Sequence, residues 1–155
     1  MAAAVGFPSV EWFEVLGKLM DQQRDLHMRT GTIDCVAQFT VFEATPHGGA
    51  RHFQVTFEEF SVTRVDEVDD EEVDRADFVL EADLDIWQEM IENVAAGNGR
   101  PDLEHSLNRL SLPGTPMRAW SEDPLRRDLF FRFNQSLQEF FNASAEISTI
   151  FPESR

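Results

Sequence analysis

The chain has 155 residues, of which 42% are hydrophobic and 27% charged, so length and composition fit one soluble globular domain with its own core. The formal charge of −16 disfavours nucleic acid and anionic lipid surfaces as partners. The 14 Phe and 3 Trp without any Tyr exclude mechanisms that need a phenol. Cys35 is the single cysteine, which excludes an internal disulfide and a thiolate-rich metal site.

No stretch is long and apolar enough to span a membrane, so no stable membrane insertion is expected. Residues 1–4 lack the charged and apolar regions of a signal peptide. We therefore expect a cytoplasmic location.

A helix is predicted near the start of the chain. Ser9 is a suitable N-cap, and Gly31 breaks the pattern that follows. The apolar residues of this segment recur at helical spacing and fall on one face: Trp12, Phe13, Leu16, Leu19 and Met20.

Three antiparallel strands are predicted next. Residues 33–41 and 53–57 alternate between apolar and polar side chains, which is typical of half-buried strands, and residues 46–49 form a strong turn signal between them. The alternation changes phase at Glu58 and Glu59. A turn or a bulge would explain this change, and we favour a tight turn into a third strand.

An acidic segment follows, with eight acids among the twelve residues 66–77. It contains no glycine for the sharp turn of a calcium loop. It predicts a solvated, poorly ordered loop.

His47 in the hairpin turn and His52 on the polar face of a strand are expected to be exposed.

The next segment predicts a short strand, two helices and further short strands. Residues 78–80 form the strand, Asp83 caps a helix that ends at Gly97, and residues 101–107 suggest a brief helix. One or two short strands are expected within residues 110–120.

Residues 121–146 read as one long helix, with Asp123 as N-cap and Pro124 at its first position. Arg126 falls in the middle of the apolar face, and Phe131 falls on the polar face. The apolar stripe comprises Leu125, Leu129, Phe130, Phe133, Leu137, Phe140 and Phe141.

This order of elements predicts the α+β class, with a mainly antiparallel sheet and helices gathered on one face. We find no internal repeat and no interdomain linker, so residues 1–155 are expected to form a single domain with an acidic loop at about 66–77.

Several motifs resemble the sterol-carrier-protein-like (SCP-2-like) family, in particular its stand-alone bacterial members. The resemblance is most specific in the last 40 residues. The matching segments are Phe7-Pro8-Ser9-Val10-Glu11-Trp12, the strand Ala76–Leu80, the helix Asp83–Gly97 with Trp87, Pro101-Asp102, Pro116-Met117-Arg118, Asp123-Pro124-Leu125 and Arg127–Gln138.

The resemblance implies a curved five-stranded sheet whose covering helices enclose an apolar tunnel for lipids, sterols or fatty acyl groups. The family has no agreed catalytic residues, so none is transferred. The family's usual glycine-marked turn is replaced by Glu58-Glu59, and the peroxisomal tail of eukaryotic members is absent. The missing tail favours a bacterial-type cytoplasmic role.

Ten residues are predicted to bind the ligand. Arg118 or Arg126 would orient a polar head group, while Arg126 could equally extend past the helix end into solvent. The full set is Trp87, Ile91, Leu112, Met117, Arg118, Arg126, Phe130, Phe133, Leu137 and Phe140.

Motifs for chemistry are lacking. The four histidines show no metal-ligand spacing, and neither a Gly-x-Ser-x-Gly elbow nor a phosphate-binding loop occurs. His105, which follows Asp102 and Glu104, is the histidine that lies nearest the predicted tunnel. No cofactor and no metal site are therefore predicted.

Three functional hypotheses follow from the sequence. The first is a non-catalytic carrier that binds a sterol, fatty acid or acyl thioester in a Phe-lined cavity. The alternative is an enzyme, or an accessory subunit of one, acting on a steroid- or polyketide-like substrate, so catalysis stays open. The third is an interaction domain, in which the aromatic face of the last helix docks a second copy or a partner enzyme. Phe131 could be an exposed aromatic, a dimer contact or a second-layer core residue.

Overall fold

The computed structural model describes residues 4–45, 47–112 and 114–152, with all their side chains except those of residues 72–74. Pro46 and Pro113, which contribute to two turn predictions, lie outside the described residues, as do residues 1–3 and 153–155. The α-helices of the described ranges are α1 (Val10–Gln22), α2 (Arg24–Thr30), α3 (Leu84–Ala96), α4 (Leu107–Leu110) and α5 (Pro124–Asn142). Short 3-10 helices span Asp70–Arg75, Leu103–His105 and Ala143–Glu146.

The main sheet has five strands and is mixed. Its order is β4-β3-β2-β5-β6, and the pairs are antiparallel except for β2 with β5, which is parallel. A separate parallel pair, which the sequence did not predict, joins β1 to β7. The strands are β1 (Ala4–Gly6), β2 (Cys35–Phe42), β3 (Arg51–Glu58), β4 (Ser61–Val68), β5 (Phe78–Asp83), β6 (Arg118–Trp120) and β7 (Ser148–Ile150).

The predicted N-cap of α1 is confirmed, because the Ser9 hydroxyl accepts a hydrogen bond from the Trp12 backbone N–H at 3.0 Å. The helical segment is interrupted at Gln23, whose backbone N–H bonds back to the carbonyls of Leu19 and Met20. A second helix, α2, then continues to Gly31. The sequence indicated the stop at Gly31 but not the interruption.

The predicted hairpin is present, with Phe39 opposite Phe53 across β2 and β3. The predicted tight turn into β4 is also confirmed, since Glu59 adopts a left-handed backbone with φ 55°. A register irregularity between Thr56 and Phe57 accompanies this turn. Both the turn and the bulge therefore contribute to the change of phase.

Helix α5 begins as predicted, with the Asp123 side chain accepting from the Leu125 backbone N–H at 2.9 Å. It ends earlier than predicted, and a 3-10 turn follows Asn142. The Leu125 side chain is 79% exposed, so its assignment to the buried stripe is wrong. Because Leu125 lies in the first turn, no other element extends far enough to cover it.

Two further helix predictions need correction. Asp83 occupies the N-cap position of α3, but its side chain makes no capping hydrogen bond. The brief helix predicted over residues 101–107 is split into a 3-10 turn capped by Asp102 and the short α4, which begins at Leu107. The region before α5 supplies one strand, β6.

The core is aromatic and lies between the sheet and helices α1, α3 and α5. The ring of Phe13 on α1 stacks on Phe39 of β2 at 5.4 Å between centroids. Phe141 of α5 meets Phe39 edge-on at 5.1 Å and Trp87 of α3 at 5.7 Å. These contacts fix the helices to one face of the sheet.

The acidic segment crosses the other face of the sheet. Strands β4 and β5 are both parallel to β2, yet β3 and β2 separate them, so the connection must pass over these two strands. Residues 66–68 extend β4, and Asp70–Arg75 form a 3-10 helix. The sequence did not indicate the extension of β4 or this 3-10 helix within the predicted acidic loop.

Candidate functional site

Helix α5 and the elements facing it bring together most of the predicted ligand-binding residues. Seven of the ten are buried, and the other three lie at or near the surface. The buried residues are Trp87, Ile91, Met117, Phe130, Phe133, Leu137 and Phe140.

The inner face of α5 packs directly on the sheet. Phe130 lies 5.7 Å from Phe78 of β5, and Phe140 meets Phe57 of β3 edge-on at 5.0 Å, both between ring centroids. The indole N–H of Trp87 donates to the Thr40 carbonyl at 3.1 Å. This interior is apolar and filled by aromatic rings, and the Trp87 indole N–H is bonded to the protein's own backbone.

Arg126 contacts the protein's own chain. Its Nε lies 3.3 Å from an Asp77 carboxylate oxygen, and its Nη2 donates to the Ala76 carbonyl at 2.5 Å. It also lines a cavity of about 10 Å³ beside Trp120, enough for one water. Arg126 thus joins the start of α5 to the end of the acidic segment.

The other two surface residues of the predicted set are Arg118 and Leu112, and both are exposed. Arg118 pairs with Glu81 at 3.4 Å and lies over the Trp120 ring, 5.6 Å from its centroid, with its side chain 72% exposed. Leu112 is 42% exposed. Ligand contact by all ten residues remains a prediction.

An open groove of about 590 Å³ lies at one end of the sheet and contains none of the ten residues. Burial, and then the nearby Asp77 and Asp34, raise the pKa of the Cys35 thiol in this groove. The thiol is therefore protonated and a poor nucleophile. The lining residues are Asp34, Cys35, Val36, Thr56, Phe57, Glu58, Glu59, Thr63 and Asp77.

A buried hydrogen-bond chain lies under the acidic segment on the second face of the sheet. The Gln54 side-chain amide donates to Gln38, and Gln38 donates to the Thr40 hydroxyl, both at 3.0 Å. Thr40 Oγ1 lies 2.8 Å from His52 Nδ1, and His52 Nε2 contacts the Asp70 carboxylate. His52 is only 9% exposed, so the prediction of an exposed histidine is wrong.

In this hydrogen-bond network the Thr40 hydroxyl, the His52 imidazole and the Asp70 carboxylate contact one another in that order. The same order of groups occurs in nucleophilic catalysis. Thr40 is 1% exposed, however, and its hydroxyl already accepts from Gln38. A substrate could not reach it in this conformation. We therefore assign the chain a structural role, tying the acidic segment to the sheet.

His105 bridges two elements at the surface. Its Nδ1 lies 2.6 Å from Asp102 and its Nε2 lies 3.1 Å from Glu89. Hydrogen bonds to the carboxylates of Asp102 and then Glu89 raise the pKa of the His105 imidazole, because both carboxylates favour its charged form. His105 thus links α3 to the segment that follows it.

His27 is the polar residue in the helical layer that the sequence interpretation missed. Among the seven residues of α2, all described, it alone is buried, with 0% exposure. Neither ring nitrogen has a hydrogen-bond partner among the described residues. Burial lowers the pKa of His27, and Asp21 opposes this effect. His27 follows Met20 by seven residues, a spacing that keeps both on the same helical face. This spacing could have predicted from the sequence that His27 is buried.

Within the described part of the chain, no group of three or more His, Cys, Asp or Glu side chains could hold a metal ion. No helix formed by the described residues is long and apolar enough to cross a membrane.

Comparison with solved structures decides the fold. A conserved hypothetical protein from Thermus thermophilus, described as possibly a sterol carrier protein, matches with a TM-score of 0.64 over 97% of both chains at 17% identity. The chain has the sterol carrier protein fold. A crystal structure of sterol carrier protein 2 matches with a TM-score of 0.61 and 19% identity, covering 88% of this chain and 95% of that one.

Sequence comparisons add nothing to this likeness. No family model matches the chain, and no curated protein matches it. The expected α+β architecture with a five-stranded sheet is thus confirmed at the level of the sterol carrier protein fold, with a sheet that is mixed.

Proposed function

We propose that the protein is a non-catalytic carrier of a hydrophobic small molecule such as a sterol, fatty acid or acyl thioester. The observation that carries this proposal is the sterol carrier protein fold over nearly the whole chain. Both similar structures are described in terms of sterol carriage, one with the word "possibly". The ligand would occupy the aromatic interior between α5 and the sheet.

The chemistry of the interior supports this proposal. The inward side chains of α5 include Phe130, Phe133, Leu137 and Phe140, and Trp87 approaches the same region from α3. Small-molecule sites are mostly apolar with a few polar anchors. In the closed packing described above, a ligand would enter as α5 and its neighbours separate slightly and exchange protein contacts for ligand contacts.

The enzymatic alternative has less support among the described residues. The Thr40 hydroxyl and the His52 ring are buried, the raised pKa of the Cys35 thiol makes it a poor nucleophile, and His105 is held between the carboxylates of Asp102 and Glu89. Each of the three candidate reactive groups has a structural explanation.

Native mass spectrometry of the purified protein, before and after delipidation, tests the carrier proposal. A carrier should show a mass excess that denaturation releases as a discrete hydrophobic molecule, or should take up a sterol or acyl chain with one-to-one stoichiometry. A clean apo mass with no uptake from a panel of both would contradict the proposal.

The location of the site can be tested separately with a hydrocarbon probe that carries a photoreactive diazirine. We expect labelled peptides from α5 and α3, within Phe130–Phe140 and around Trp87. Labelling confined to the open groove at the end of the sheet, for example at Val36 and Thr63, would move the site there.

A further inference from the structure

The first half of α5 is held to the sheet by fewer aromatic contacts than its second half, among the described residues. In the first half, Phe130 meets the Phe78 ring of β5 at 5.7 Å between centroids. In the second half, Phe141 meets rings from α1, β2 and α3, and Phe140 meets Phe57 of β3. Local opening is easiest where buried apolar contacts are few, so the first half of α5 separates most readily from the sheet.

Arg126 closes the seam between this half of α5 and the end of the acidic segment. Its Nε lies 3.3 Å from an Asp77 carboxylate oxygen, and its Nη2 donates to the Ala76 carbonyl at 2.5 Å. Asp77 is itself fixed to the sheet, because its second carboxylate oxygen accepts from the Val36 backbone N–H at 2.7 Å. One arginine side chain therefore ties the start of the helix to the sheet.

The packing beside this arginine is incomplete. A cavity of about 10 Å³ lies there, and its wall runs from Arg126, which is partly exposed, to the fully buried Phe78. Trp120 also lines the cavity, and its buried indole nitrogen lacks a hydrogen-bond partner among the described residues. Protein interiors seldom leave such a gap or such an unpaired donor, so the seam is weakly closed. It leads from the surface to the ring that Phe130 contacts.

We propose that Arg126 and Asp77 form a latch that controls entry to the carrier site between the first half of α5 and β5. With the latch closed, Phe130 and Phe78 separate the interior from solvent. When the ion pair breaks, the first turns of α5 can move away from β5 and admit a hydrophobic molecule along Phe130 and Phe133. The inference rests on the proposed carrier function and adds the control of access to it.

A latch of this kind acts on rates and leaves the binding equilibrium nearly unchanged. The ion pair forms in the closed protein whether or not the interior holds a ligand, and it is broken only while the ligand passes. Its loss should therefore increase the association and dissociation rate constants by the same factor. A partly exposed ion pair changes an opening equilibrium by up to about fivefold, which is the increase we expect.

Stopped-flow fluorescence with the neutral dye Nile red tests the latch, because an uncharged probe cannot form an ion pair with the arginine. Arg126→Ala and Asp77→Asn should each raise both rate constants about fivefold and leave the Kd within about twofold of wild type. Arg126→Lys, which keeps the positive charge, should lie close to wild type. Arg127→Ala removes the same charge from the next, exposed position, where the guanidinium lies over the Phe131 ring, and should keep the wild-type rates.

Hydrogen exchange of the protein without ligand gives a second readout. The backbone amides of residues 128–133 should exchange faster in Arg126→Ala and Asp77→Asn than in Arg127→Ala, while those of residues 136–142 should not change. Asp77→Asn keeps an oxygen that can accept from Val36, so its effect reports the lost charge.

The possible results separate the latch from the carrier function. Unchanged dye rates in folded Arg126→Ala and Asp77→Asn overturn the latch, and so does a weaker Kd with an unchanged association rate. The absence of Nile red binding by the wild type contradicts the carrier function. In that case, equal hydrogen exchange in all variants overturns the latch as well, whereas faster exchange in Arg126→Ala and Asp77→Asn supports it.

Discussion

His52 and Asp70 join two parts of the protein that are 18 residues apart in the sequence. His52 Nε2 contacts the Asp70 carboxylate. This contact attaches the start of the 3-10 helix in the acidic segment to the second face of the sheet. On the other side of the ring, Nδ1 lies 2.8 Å from the Thr40 hydroxyl oxygen, so both ring nitrogens have protein partners. The contact orients the ring and the segment together.

We predict that Asp70→Ala loosens the acidic segment without unfolding the protein. The Asp70 side chain is 87% exposed, so its loss should cost at most about 1 kcal/mol of global stability. Backbone hydrogen exchange of residues 70–75 should accelerate, while that of β2 and β3 should not change. Glu104→Ala, which removes another exposed acid, serves as the control; equal exchange in both variants would contradict the role of Asp70.

His27 should make the protein less stable in acid. Its pKa is lowered in the folded state, so the unfolded chain binds a proton first as the pH falls. Its contribution is fully present above the ordinary value of 6.5 and is lost as the pH falls from there through the lower folded pKa. Urea unfolding at pH 8 and pH 5 (roughly one and a half units either side of that value) should show a smaller decrease in unfolding free energy for His27→Phe than for wild type. An identical decrease would show that His27 finds a partner in solution.

His105 should have the opposite dependence. Its pKa is raised, so the stabilisation it gives is fully present below 6.5 and is lost as the pH rises through the higher folded pKa. The difference in unfolding free energy between wild type and His105→Gln should therefore be larger at pH 6 than at pH 9 (roughly chosen to bracket the transition). An NMR titration of the ring that gives an ordinary pKa would remove the basis of this prediction.

Arg126 should contribute to stability more than to ligand binding. Its guanidinium holds Asp77 and the Ala76 carbonyl, and about a third of its side chain is exposed. Arg126→Ala should cost about 1 kcal/mol in urea unfolding, since solvent weakens the ion pair. Ligand uptake should change little. A selective loss of uptake of carboxylate ligands, with stability unchanged, would instead support the head-group role expected from the sequence.

Phe141 and Phe131 form a matched pair on α5. Phe141 is fully buried and contacts rings of α1, β2 and α3, whereas Phe131 is 53% exposed. Phe141→Ala should cost about 3–5 kcal/mol because it leaves a cavity. Phe131→Ala should change stability by about 0.5 kcal/mol or less. Similar costs in urea unfolding would mean that Phe131 is covered in solution, for example by a second copy.

The strong local patterns gave reliable predictions. The caps at Ser9 and Asp123 and the alternation that pairs Phe39 with Phe53 depend on neighbours close in sequence, and all three are confirmed. Helical geometry put Phe131 on the polar face of α5 and left its environment open; its side chain is 53% exposed. Such features need little knowledge of the rest of the chain.

The errors arose where a distant segment decides the environment. The sequence does not show that β4 and β5 lie on opposite sides of the β3–β2 pair, so it did not predict that the acidic segment must cross the sheet. His52 was placed on a polar face correctly, but that face is covered by the same crossing segment. The pairing of β1 with β7 joins the two ends of the described chain, beyond the range of any local signal.

The sequence by itself determined the α+β class, the helix and strand order around the hairpin, and the resemblance to sterol carrier proteins, because period, caps and turn residues act over a few positions. Tertiary structure alone decided which polar groups are buried and what they meet. Arg126 meets Asp77, His52 meets Asp70, and His27 meets no described partner. Burial and pairing depend on which distant surfaces come together, and the free energy of a polar group changes most when water is removed from it.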